Sequence, residues 1–112
     1  MNAKQLRQES QNLRRKAEAS RRDATSYSQK AAGLSQKQDY AGAQRDEAQA
    51  QQLSGKAADF EQQAMEKDQQ ADQMEQQANE LDRQKQELLK QVSQIDNQIK
   101  QLTGNSLIGG LF

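Results

Sequence analysis

The sequence predicts an all-α protein: an antiparallel coiled-coil helical hairpin whose long second helix extends past the first as an oligomeric coiled coil. Three observations carry that expectation. The 112 residues contain no proline and about a fifth are glutamine. Only 32% are hydrophobic, four aromatic side chains included, which is too little for a globular core. The scarce apolar residues nevertheless keep a seven-residue period almost from end to end, which a disordered chain of similar polarity has no reason to do.

The first helix is expected over residues 1–36. Leu6, Leu13, Ser20, Tyr27 and Leu34 recur every seventh residue, and Ala3, Ser10, Ala17, Ala24 and Ala31 stand three before each. These are a (small) and d (larger) positions of one seam. Residues 37–42 are expected to turn. Gly33 and Gly42 bracket this stretch, and Asp39 is suited to cap the next helix.

The second heptad series starts at Ala43. Its a positions are Ala43, Ala50, Ala57, Ala64, Ala71, Ala78, Lys85, Val92 and Ile99. Its d positions are Asp46, Leu53, Phe60, Lys67, Met74, Leu81, Leu88, Ile95 and Leu102. A short turn makes consecutive helices antiparallel neighbours, and an antiparallel coil sets a against d. One register then matches large to small: Leu34 with Ala43, Tyr27 with Ala50, Ala24 with Leu53, Ala17 with Phe60, Leu13 with Ala64, Leu6 with Ala71 and Ala3 with Met74. Ala31 with Asp46, Ser20 with Ala57 and Ser10 with Lys67 are its weaker layers. The stem of Lys67 is expected to pack in the seam while its ammonium reaches the edge.

Charge supports the same pairing. Residues 1–37 carry nine Lys or Arg against three acids, a net +6, and residues 38–82 carry three against eleven, a net −8. Residues 83–112 carry four against two, a net +2, so the whole chain is neutral. Arg7, Arg14 and Arg21 fall at e in the first helix, and Glu47, Glu61, Asp68 and Glu75 at e in the second. Each such pair contributes little alone, but together they select an orientation.

The first helix uses the second only as far as residue 76, so residues 43–76 form the hairpin arm. Residues 77–102 are a stalk of roughly 40 Å at 1.5 Å per residue. Leu81, Leu88, Val92, Ile95, Ile99 and Leu102 make its seam the most apolar in the chain, and self-association would bury it. A homo-oligomer is expected, a dimer most simply. β-branched Val92 and Ile99 at a with mostly Leu at d fit a parallel two-stranded coil, and Lys85 at a disfavours larger assemblies. Ile95 at d points the other way, and an antiparallel dimer remains open.

The last segment, residues 103–112, is an apolar tail. Gly104 suits a left-handed cap. Leu107, Ile108, Leu111 and Phe112 form a docking peptide for a protein partner in one reading, and a frayed end or a cap on the seam in the other. The stretch Leu102-Thr103-Gly104-Asn105-Ser106-Leu107-Ile108-Gly109 resembles the C-terminal targeting peptides that load cargo into bacterial encapsulin shells, differing at Asn105, where those peptides carry glycine. That resemblance implies an adaptor or cargo-type module docked to a larger assembly. Leu53-Ser54 through Ala64 resembles the helical hairpin found ahead of Smr nuclease domains, and no such domain follows within these 112 residues.

Other chemistry finds little support. No cysteine or histidine is present, which removes thiol chemistry, disulfides and imidazole metal sites. No cofactor and no enzymatic activity are expected. Asp46-Glu47, and Asp68 with Asp72, read as solvated charge on a polar helix face rather than acid/base pairs. The basic runs Arg14-Arg15-Lys16 and Arg21-Arg22 allow weak binding of nucleic acid or an acidic surface, but no aromatic residue interleaves with them, and Arg14 and Arg21 already have acids to meet. No signal peptide or bilayer-length apolar run is visible, so a cytoplasmic location is the default. Gly55 marks either a weak point in the second helix or a close helix approach.

Overall fold

A computed structural model describes residues 1–104. Among these the protein is all-α: α1 spans Ala3–Gln36 and α2 spans Tyr40–Thr103, with no strand. The chain divides into two units, Met1–Met74 and Glu75–Phe112.

α1 opens with a capping box. Asn2 Oδ1 accepts the Gln5 backbone N–H at 2.9 Å, and Gln5 Oε1 accepts the Asn2 N–H at 2.9 Å. Two of the amides that every helix start leaves unpaired are thus satisfied. At its other end α1 closes in a Schellman motif. The Asp39 N–H donates to Leu34 O at 2.8 Å, and the Gln38 N–H donates to Ser35 O at 3.0 Å.

That closure requires a left-handed residue, and the sequence places Gln38 there, at φ +64°. The two glycines that bracket the turn in the sequence lie inside α1 and α2 instead. α2 starts at Tyr40, three residues before the heptads begin, because Asp39 caps it: its Oδ1 accepts the Gly42 N–H at 3.0 Å. A Cβ on Gly42 would stand 2.7 Å from Asp39 Oδ2, so this glycine makes room for the cap.

The hairpin unit buries one column of small side chains from each helix. On α1 these are Ser10, Ala17, Ala24 and Ala31, with Leu6 at the open end, and on α2 Ala43, Ala50, Ala57, Ala64 and Ala71. Most a positions are therefore buried, while the d residues Leu13, Tyr27, Leu34, Leu53 and Phe60 are half-buried. Ala57, Ala64 and Ala71 have no exposed surface at all. Such a core is thin. Its buried side chains are nearly all alanine or serine, so little of its stability comes from large side chains.

The ion pairs fix the register. Arg14 Nη2 lies 2.7 Å from Asp68 Oδ2, and Arg21 forms a bidentate pair with Glu61, its Nη2 to Oε2 distance being 2.8 Å. Seven residues forward on α1 is seven residues back on α2, as an antiparallel heptad pairing demands. This is the register in which Leu13 meets Ala64 and Ala17 meets Phe60. Lys16, next to Ala17, holds its Nζ 6.0 Å from the centre of the Phe60 ring, consistent with that layer.

Candidate functional site

Several charged groups of the hairpin are occupied with one another across its two helices. Arg7 Nη2 donates to Asp72 Oδ1 at 2.8 Å, Arg14 to Asp68 and Arg21 to Glu61, so one member of each basic run of α1 meets an acid of α2. Arg22 pairs along its own helix with Glu18 at 3.8 Å. The hydrogen bonds from Arg14 and Ser10 hold the Asp68 carboxyl below its ordinary range. Arg21 does the same to Glu61, and is itself held more firmly protonated by that carboxylate.

Lys67 and Ser10 form the most polar layer. Ser10 is 2% exposed, and the Lys67 ammonium leaves the seam to reach Glu9 Oε2 at 3.3 Å. The lysine stem packs and its head meets an acid, as snorkelling predicts. The carboxylates of Asp68 and Asp72 each accept from an arginine across the seam, which is a structural use of both groups. Among the described residues no group of three Asp, Glu, His or Cys could hold a metal ion.

The segment from Glu75 onward differs. Through residues 75–95 every side chain is exposed. Leu81 is 65% exposed, Leu88 60%, Ile95 55% and Leu102 86%, all at d of the second heptad series. Val92, at a, is 38% exposed, and Ile99, also at a, is half-buried. These six residues lie on one seam of one helix. Between them stand Gln77, Gln84, Gln91 and Gln98 at every g position, and Asp82, Leu89 and Asp96 at e. Asp96 is buried and lies 3.5 Å from Lys100 Nζ.

Leu89 is the residue that a and d counting misses. It is 40% exposed and widens the apolar face by one position. The Leu88-Leu89 doublet in the sequence is the signal that could have found it.

α2 ends as the sequence predicts. Gly104 has φ +77°, and its N–H donates to Lys100 O at 2.8 Å. Leu107, Ile108, Leu111 and Phe112, read as docking residues, lie outside the described residues. Among the described residues no helix is long and apolar enough to cross a membrane. Comparison with protein families, with curated proteins and with solved structures gives no match to this chain.

Proposed function

We propose that this protein is a non-enzymatic structural coiled coil that self-associates through the apolar seam of residues 77–102, a dimer being the simplest product. One observation carries the reading: Leu81, Leu88, Ile95 and Leu102 are more than half exposed at strict heptad spacing. An isolated helix of this length is marginal in water, and a helix displaying such a stripe gains from any partner that covers it. Burying one Leu or Ile side chain fully contributes roughly 1.5–3 kcal/mol, so several per chain can exceed the entropic cost of association.

The sequence supports a structural rather than catalytic role. It has no histidine or cysteine to act as nucleophile or base. Asp68 and Asp72, one turn apart on α2, are engaged by arginines of α1. Arg7, Arg14 and Arg21 of α1 are likewise engaged with acids of α2, which takes these three cations out of any nucleic-acid surface.

Sedimentation equilibrium of the full chain and of a Leu88→Gln/Ile95→Gln variant tests the reading. The full chain should sediment as an oligomer and the variant should shift to monomer, with its hairpin still helical by circular dichroism. A full chain that stays monomeric at every concentration contradicts the proposal.

A further inference from the structure

A helix standing alone in water is most exposed towards its end, yet one side of α2 does the reverse. Asp96 is buried and Ile99 half-buried, while Ile95 and Leu102 on the neighbouring strip are more than half exposed. We propose that residues 105–112 fold back along α2 as a clasp within the chain. Its apolar side chains, Leu107, Ile108, Leu111 and Phe112, cover the strip formed by Val92, Asp96 and Ile99. The inference does not depend on self-association, and it leaves the d residues Leu81, Leu88, Ile95 and Leu102 bare for a second copy.

Asp96 carries the argument. Its side chain is 6% exposed, and Lys100, one turn further on, holds Nζ 3.5 Å from Oδ2. A pair of this kind along one helix does not by itself bury an acid. Glu18 with Arg22, at the same spacing, keeps its side chain 69% exposed, and Glu80 with Arg83, earlier on this part of α2, 57%. Another part of the chain therefore lies over Asp96. Within the unit Glu75–Phe112, everything through Thr103 is one helix, so the segment that follows it is what remains to provide the cover. A carboxylate is buried only where donors meet it. A returning strand brings backbone N–H groups that no helix has claimed, beside the Lys100 ammonium.

The reversal and the length fit. Gly104 has φ +77° and donates its N–H to Lys100 O, a left-handed closure that turns the chain out of the helix direction. Asp96 lies eight residues back from Gly104, about 12 Å along the axis, and Val92 twelve residues back, about 18 Å. Eight residues of extended chain span up to about 26 Å, so residues 105–112 reach past both. Four of the eight are large and apolar and none is charged, which suits a strip that has Val92 and Ile99 on either side of one carboxylate. Engaged with its own helix, the tail is not offered as a peptide to a protein partner.

The chain has no cysteine, so two introduced cysteines carry spin labels without interference. One is Gln76→Cys, at an outward f position, and the other is added after Phe112 in the full chain. The labelled protein is diluted into an excess of unlabelled chain, so that pulsed dipolar spectroscopy reads distances within one chain. The clasp holds the tail label near the level of Val92, about 24 Å from Gln76 along the axis, in a narrow distribution. A tail continuing from Gly104 as free coil starts about 42 Å from Gln76 and spreads by about 17 Å, giving a broad distribution centred beyond 40 Å.

Val92→Gln/Ile99→Gln, which strips apolar surface from the seat of the clasp, should convert the short, narrow distribution into the long, broad one. The long distribution in the parent chain overturns the clasp and leaves the strip to a second copy or another protein. A short distance that the double variant leaves unchanged puts the tail on a different face and overturns the assignment as well. Light scattering on the same samples keeps the two proposals apart: a monomeric mass with a short distance within the chain contradicts self-association and supports the clasp.

Discussion

Layer Leu13–Ala64 offers a sharp test of the hairpin register. Ala64 has no exposed surface, and Leu13 is half-buried. Ala64→Leu inserts three carbons into a closed position, and such overpacking costs roughly 1–3 kcal/mol. Leu13→Ala removes a half-buried leucine, so its cost belongs near the low end of the usual range, about 2 kcal/mol. If the two residues face each other, the double variant exchanges the large and small members of one layer and keeps its volume.

The double variant should then recover at least about 1 kcal/mol relative to the sum of the single variants, a coupling typical of residues in contact. Urea unfolding followed by circular dichroism at 222 nm measures all four proteins at one fixed concentration. Pairing Leu13→Ala with Ala57→Leu, one heptad away, is the control and should show no recovery. Additive costs at 13 and 64, or recovery with 57 instead, would refute the register.

The acid side of the hairpin should be pH-sensitive. Asp68 and Glu61 have folded pKa values lowered by hydrogen bonds from Arg14 and Arg21, so the unfolded chain takes up protons first as pH falls. The stabilisation is complete well above about pH 4 and is lost as pH drops through the lower folded values. Thermal melts from pH 7 to pH 2 should show this loss, and Asp68→Asn should reduce the slope. Gly55→Ala should stabilise α2 by about 0.5–1 kcal/mol, since nothing lies within 4 Å of an added Cβ there; a destabilised melt would mean that the glycine admits a close contact. Gln38→Gly should stabilise the turn by a similar amount, about 0.5–1 kcal/mol, by removing the left-handed strain at φ +64°. An unchanged or lower melting temperature would show that the strain is compensated.

The hairpin was legible because two patterns coincide. Alanine columns give Leu13, Tyr27, Leu34, Leu53 and Phe60 small partners in the register that a short turn after residue 36 allows, and the arginines of α1 and acids of α2 fall at the same flanking position. Arg14 with Asp68 and Arg21 with Glu61 realise that expectation. Asp39 and Gly104 also act as their residue types suggest.

The turn was harder to read. A Schellman closure is normally signalled by glycine at its left-handed position, and here Gln38 holds it while Gly33 and Gly42 sit in helices, one exposed to open space and the other admitting Asp39. The capping box of Asn2 and Gln5 was present in the sequence as residues three apart. Gly55 falls at f of the heptad count, an outward position, and the open space around it agrees with the outer-face reading that the count already favoured. For the candidate surface, the a and d residues emerge from the period alone. Leu89 does not, since its part depends on whether neighbouring chains bring e beside e or e beside g.

Light scattering coupled to size exclusion, on the full chain and on a chain ending at Gln76, tests self-association through residues 77–102 most directly. The account predicts an oligomer of defined mass for the full chain and a helical monomer for the shortened one. Two monomers would contradict it. Two oligomers of the same order would mean that α1 pairs between chains and that the apolar seam is not what joins them.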